Sequence, residues 1–153
     1  MRALVQRVAQ ASVEIGGAEF ARIGHGLLIL LGVAADDEEA DAEYLVLKIA
    51  NLRIFADGAS RFNLSALDVG AEALVVSQFT LYADTRRGRR PDFTHAAPPE
   101  LAERLYEHTI ALLRDTGLSV ATGRFQAYMQ VKSQNDGPVT ILLDSADRQR
   151  SRR

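Results

Sequence analysis

Two segments of the chain concentrate groups able to do chemistry: Ser77-Gln78-Phe79-Thr80 and Asn135-Asp136-Gly137-Pro138-Val139-Thr140. The first follows an apolar run, Ala73-Leu74-Val75-Val76, and offers two hydroxyls, an amide and several backbone N–H groups. Where a strand ends, its N–H groups no longer serve the ladder, and donors of that kind stabilise an oxyanion in acyl transfer. The plainer reading is that Ser77 and Thr80 satisfy backbone groups nearby. The second segment turns on Gly137-Pro138. Proline fixes φ and lacks an N–H, glycine permits positive φ, and X-Pro is the bond that takes the cis form at low cost. Such a dipeptide can aim carbonyl oxygens where a regular strand cannot. Its plainer reading is a turn before the last strand, since proline is tolerated at a strand's first residue.

A serine or threonine nucleophile needs a base beside it. The three histidines do not supply one by pattern: His25 sits in a glycine-flanked turn, His95 just before a helix start and His108 among charged residues of a helix. No histidine or carboxylate spacing suggests a metal site, and no cofactor is expected. With no cysteine, thiolate chemistry and disulfides are excluded and a cytoplasmic setting fits. The opening residues are too polar for a secretory signal, and the longest apolar run, near Leu27 to Val33, is too short to span a bilayer. The net charge of −2 does not announce a nucleic-acid binder, but its distribution is uneven. Acids gather at Asp36-Asp37-Glu38-Glu39. Bases gather at Arg86-Arg87-Gly88-Arg89-Arg90 and again at Arg148, Arg150, Arg152 and Arg153. A local basic patch can serve a phosphate backbone even on a slightly acidic protein, or it can be a solvated loop and tail.

The elements that must hold these groups are legible in outline. At 153 residues, 47% hydrophobic and 25% charged, the chain is long and apolar enough for one domain with its own core. We read residues 1–145 as that domain and 146–153 as a basic tail. Residues 2–15 read as a long strand, Gly16-Gly17 as a hairpin turn, Ala18 to Ile23 as the return, and Leu27 to Val33 as a strand buried on both faces. Asp36 or Asp37 is expected to cap a helix bearing Leu45, Ile49 and Leu52 on one face. Arg53-Ile54-Phe55 reads as a short strand, 63–70 is ambiguous, and 72–80 is a strand ending in the first special segment. Pro98-Pro99 opens a second helix with Leu101, Leu105 and Leu112 as its stripe and Gly117 as its stop. Three strand-like pieces follow: 118–122, 128–133 and 138–144. This order predicts an α+β fold, with a mostly antiparallel sheet or partial barrel and two main helices.

Taken together, the two segments resemble the signature stretches of the D-aminoacyl-tRNA deacylases, Ser-Gln-Phe-Thr-Leu and Asn-X-Gly-Pro-X-Thr, which stand here at 77–81 and 135–140. The likeness extends through Val5-Gln6-Arg7-Val8, Asn51-Leu52-Arg53-Ile54-Phe55, Gly88-Arg89-Arg90-Pro91 and Ala96-Ala97-Pro98-Pro99-Glu100-Leu101. The resemblance implies a homodimer that hydrolyses the ester between a D-amino acid and the terminal adenosine of tRNA, and that also removes mischarged glycine. It implies that Gly137-Pro138 is a cis peptide reaching into the partner's site, where its carbonyl oxygens hold the substrate's α-amino group and leave no room for an L side chain.

On the family pattern Ser77, Gln78, Phe79 and Thr80 form the catalytic stretch, with the Phe79 N–H as oxyanion donor. Gln78 and Arg7 brace the Gly-Pro loop. Phe125 and Met129 cradle the adenine, with Asn135 also on the substrate side. Read without the family, Phe125 and Met129 are core residues. Arg86, Arg87, Arg89 and Arg90 are expected to touch the tRNA backbone. Relatives commonly carry more apolar residues where Lys132-Ser133-Gln134 stands. Two other classes compete: a non-catalytic dimeric RNA-binding module, and a side-chain-driven hydrolase of small esters.

Overall fold

The alternation over the first residues becomes strand β1 (Arg2–Ile15), and its length organises the molecule. In the computed structural model, which describes residues 1–149, β1 pairs along one edge with β2 (Ala18–Ile23) and β3 (Gly26–Gly32). Along its other edge runs β8 (Gln130–Asp144). β3 is a continuous apolar run because both its faces are covered. Leu27, Ile29 and Leu31 enter the main core under the helices, while Leu28 enters a second, smaller core with Val8, Val13, Leu74 and Val76.

Helix α1 (Glu39–Asn51) buries Leu45 and Ile49, as their spacing predicts. Its cap differs from expectation: Glu38 is the N-cap, in a reciprocal box with Asp41. Asp37 is drawn away. Its carboxylate takes a hydrogen bond from the Met1 α-amino group at 2.5 Å and another from the Ala34 N–H at 2.5 Å. Burial pushes the Asp37 carboxyl up, and these two donors oppose the shift. The short strand near residue 54 is Phe55–Ala56 (β4), paired with Phe62–Leu64 (β5), which resolves part of the ambiguous stretch.

Strand β6 (Glu72–Ser77) lies parallel to β3 and stops earlier than the apolar run suggests. A single 3₁₀ turn, Phe79–Tyr82, takes over. Helix α2 (Pro99–Asp115) begins as the two prolines predict. Its buried face is Leu105, Tyr106, Thr109, Ile110 and Leu113, so the stripe is rotated from Leu101 and Leu112, which are only half buried. Strand β7 (Ser119–Thr122) pairs parallel to β6. The pieces expected at 128–133 and 138–144 are one strand, β8, interrupted by a bulge.

The outcome is an α+β fold with two main helices. Its sheet order is β2-β1-β3-β6-β7, with β8 on β1, and the sheet curls toward a barrel. Most pairings are antiparallel; β3 with β6 and β6 with β7 are parallel. The chain then turns through Ser145–Gln149, where Ser145 is buried and Arg148 lies 3.6 Å from Asp41. Arg150, Arg152 and Arg153 lie outside the described residues. No helix among the described residues is long and apolar enough to cross a membrane.

Candidate active site

Within one chain the predicted residues form two clusters rather than one. The first is at the end of β6. The Gln78 N–H still bonds to the Leu31 carbonyl at 2.8 Å, completing the parallel ladder, and the next residues leave it. The N–H groups of Phe79 and Thr80 open the 3₁₀ turn and have no acceptor among the described residues, as first-turn donors do not. Two adjacent free donors are what a developing oxyanion requires. The Gln78 side-chain amide donates to the Thr80 hydroxyl. That hydroxyl therefore faces an amide, not a base, and no histidine bonds to Ser77 or Thr80 among the described residues. His25 packs edge-on against Phe55, 5.1 Å between ring centres, and the buried Nε2 of His108 has no hydrogen-bond partner among the described residues.

Phe125 and Met129 belong to this first cluster. Gly123 donates to the Val75 carbonyl at 3.0 Å, which ties the 123–129 segment to the end of β6. The Met129 sulfur lies so close to Gly123 that a Cβ there would meet it at 2.7 Å, with Val76 at 3.7 Å. Phe125 packs on the ring of Tyr106, 5.9 Å between centres, and the Tyr106 hydroxyl donates to the Val75 carbonyl at 2.9 Å. Burial pushes that hydroxyl up to about 12, so it stays a donor at any working pH. Phe125 and Met129 are both half buried, Phe125 packed against the main core and Met129 against the smaller one.

The second cluster is the bulge in β8. Gln6 pairs with Thr140 and Val8 with Asn135, so residues 136–139 stand opposite Arg7 alone. Their carbonyls fall outside the ladder. The Gly137–Pro138 peptide is cis, and Gly137 has φ +138°. Arg7 braces this bulge from beneath: its Nε donates to the Asp136 carbonyl at 3.0 Å and its Nη1 to the Ile54 carbonyl at 2.6 Å. Its guanidinium also lies over the Phe62 ring. Asn135 closes the bulge from within, accepting from the Val139 N–H at 2.9 Å and donating to the Thr140 hydroxyl at 3.0 Å. Asn135 thus ties the two sides of the loop together. Gln78, expected to brace a Gly-Pro loop, bonds to Thr80 within its own chain. Neither Ile54 nor Phe62 is evident as a support from sequence; only the Arg53-Ile54-Phe55 run hints at the first.

Strand geometry separates the two clusters. Ser77 lies level with Leu31, Ala3 and Leu143 across β3, β1 and β8, whereas the bulge faces Arg7. Three strand spacings across and four residues along amount to roughly 20 Å over the sheet. Measured along the sheet, the two clusters of one chain stand well apart. Among the described residues, no group of carboxylates and histidines is placed to hold a metal ion.

Comparison with known proteins bears on this arrangement. The family model described as D-Tyr-tRNA(Tyr) deacylase matches residues 4–144. The chain belongs to this family. It is similar to the D-aminoacyl-tRNA deacylase of Roseiflexus sp. (strain RS-1), with 64% identity over 95% of this chain and 94% of that one. It is likewise similar to the D-aminoacyl-tRNA deacylase of Dehalococcoides mccartyi (strain ATCC BAA-2266 / KCTC 15142 / 195), with 61% identity over 97% of each. Among solved structures it resembles one titled c-Myc DNA Unwinding Element Binding Protein, with a TM-score of 0.89, 45% identity, and coverage of 94% of this chain and 98% of that one. It also shares the fold of a probable eukaryotic D-amino acid tRNA deacylase, TM-score 0.81 at 16% identity, covering 94% and 98% of the two chains. For a D-Tyr-tRNA(Tyr) deacylase family member, the β6 end and the β8 bulge are the two places where both the sequence motifs and the exposed backbone groups coincide.

Proposed function

We propose that this chain is a D-aminoacyl-tRNA deacylase: it hydrolyses the ester joining a D-amino acid to the terminal adenosine of tRNA, giving free D-amino acid and tRNA. The observation that carries the reading is 64% identity, over nearly the whole length, to a protein of that name, with both signature segments intact. It acts as a homodimer in which the 135–140 bulge of one subunit completes the β6-end site of the other. The roughly 20 Å along the sheet between the clusters of one chain supports this, as does the exposure of β8 along most of its length.

In this account water adds to the ester carbonyl, and the N–H groups of Phe79 and Thr80 take the charge that develops on its oxygen. The bond to the ribose oxygen then breaks. The adjacent 2′-hydroxyl of the substrate orients the water and returns a proton to the leaving oxygen, so no protein base is needed. Phe125 and Met129 hold the adenine between an aromatic face and a soft thioether. The Gly137 and Pro138 carbonyls receive the α-amino group and bar an L side chain. Because this filter is backbone, it accepts many D side chains and also passes glycine, which lacks a Cβ. The enzyme works in the cytoplasm, where charged tRNA is made.

The test is hydrolysis of D-tyrosyl-tRNA, L-tyrosyl-tRNA and a small activated ester side by side. Release from the D form alone supports the reading; tRNA binding without turnover, or cleavage of the small ester only, replaces it with one of the competing classes. Within this account Thr80→Ala keeps kcat within about tenfold of wild type, because the backbone donors survive. A fall of ~10⁴-fold, the size seen on losing a nucleophile, would make the hydroxyl catalytic.

A further inference from the structure

The loop beyond the 3₁₀ turn carries charges that the chemistry above does not use. Asp84 and Asp92 exchange backbone hydrogen bonds, 2.7 and 2.9 Å, and close residues 85–91 into a fixed loop. Arg86 belongs to the base of this loop. Its Nε lies 2.9 and 3.0 Å from the two Asp84 carboxylate oxygens, and its backbone N–H bonds to the same carboxylate at 3.0 Å. The guanidinium holds the Asp84 carboxyl well below the usual carboxylate range. Arg86 is therefore spent. Arg87, Arg89 and Arg90 are exposed, and none has a carboxylate partner among the described residues. Three like charges within four positions repel one another and gain only when an anion sits between them.

A further observation says what that anion is. Phe93 follows the loop, partly exposed, and meets the ring of Phe79 edge-on at 5.0 Å between centres. The patch therefore begins where the catalytic stretch ends. Free arginines beside an exposed aromatic pair are the combination that binds single-stranded nucleic acid, the phosphates to the cations and the bases to the rings. An acidic protein segment would match the charge but would leave the rings unused.

We propose that residues 84–94 hold the unpaired nucleotides immediately preceding the terminal adenosine, with Arg87, Arg89 and Arg90 on their phosphates and Phe93 beneath a base. This rests on the deacylase reading and extends it from the ester to the strand that carries it.

The experiment compares two substrates of the full-length protein, D-tyrosyl-tRNA and D-tyrosyl-adenosine, for wild type and the triple variant R87Q/R89Q/R90Q. The ratio of kcat/KM for tRNA to that for the adenosine ester should fall about tenfold, carried by KM. The slope of log(kcat/KM) against log[salt] for tRNA should flatten by about 0.7 per contact removed. Phe93→Leu should lower the same ratio at least about fivefold. An unchanged ratio, or an unchanged salt slope, overturns the proposal. If wild type cleaves neither ester, the deacylase reading falls by itself. Filter binding of uncharged tRNA by the same variants then decides the loop's role: weakened, salt-flattened binding upholds it and equal binding refutes it.

Discussion

Gly137→Ala is expected to lower kcat/KM for D-tyrosyl-tRNA about 100-fold while the protein still folds, the loss being what a displacement of about 1 Å costs a positioned group. Gly137 sits at φ +138°, a conformation that side-chain-bearing residues rarely adopt. A Cβ at this position would lie 2.7 Å from Val139 Cγ2, 3.0 Å from the Val139 N and 3.2 Å from Arg7 Nη2. Val139 is buried and Arg7 is held by two carbonyls, so neither neighbour can give way. The bulge itself must move, and with it the carbonyls assigned to the α-amino group. Residue 137 is exposed, so the global fold is spared. Single-turnover hydrolysis of D- and L-tyrosyl-tRNA reads the effect: the D rate drops and the gap between the two narrows. A D rate within a few-fold of wild type, with L still rejected, would place chiral selection elsewhere.

Arg7→Lys comes next in size. Arg7 makes two divergent hydrogen bonds from one rigid plane, to the Asp136 and Ile54 carbonyls, with the Asp136 carboxylate also 3.4 Å from its Nε. Lysine keeps the charge but is a single point that cannot span both carbonyls. One carbonyl, the part-buried one of Ile54 or the exposed one of Asp136, loses its charged donor, a loss of about 1 kcal/mol measurable by urea unfolding. The bulge also loses its support, so kcat should fall by tens-fold or more with KM for the tRNA little changed. Arg7 does not touch substrate in this account. Arg7→Gln should therefore behave like Arg7→Lys, whereas a purely electrostatic role would let lysine rescue. Equal kcat for Arg7→Lys and wild type would remove Arg7 from the loop's support.

The elements were easiest to anticipate where one periodicity ran unbroken. The alternation of residues 2–15 and the double-sided apolar run near Leu28 gave β1 and β3, and Pro98-Pro99 gave the start of α2. Errors arose where a long-range partner outbid a local signal. Asp37 resembles a helix cap, but the Met1 α-amino group claims its carboxylate. β6 ends at Ser77, although the run to Thr80 looks like strand, because the chain must turn there and release its donors. The two pieces around Gly137-Pro138 looked like separate strands because a four-residue bulge against Arg7 has no local signature. The two motifs were legible in the chain itself. Their grouping was not: the separation of the β6 end from the β8 bulge follows from strand register, which pairs residues more than a hundred positions apart. Phe93 gave no sign of its contact with Phe79, since an isolated phenylalanine after a polar loop reads as ordinary packing.

The central claim is that a bulge from one subunit completes the site of the other, and subunit mixing tests it most directly. Gly137→Ala disables the bulge. Met129→Glu disables the β6-end site by setting a carboxylate where the adenine should lie. In a two-fold dimer, a heterodimer of the two variants pairs one intact bulge with one intact β6 end. After subunits exchange in an equimolar mixture, D-tyrosyl-tRNA hydrolysis should recover to roughly a quarter of the wild-type rate, as half the dimers then carry one working site of two. A mixture no more active than its two parents would contradict the account.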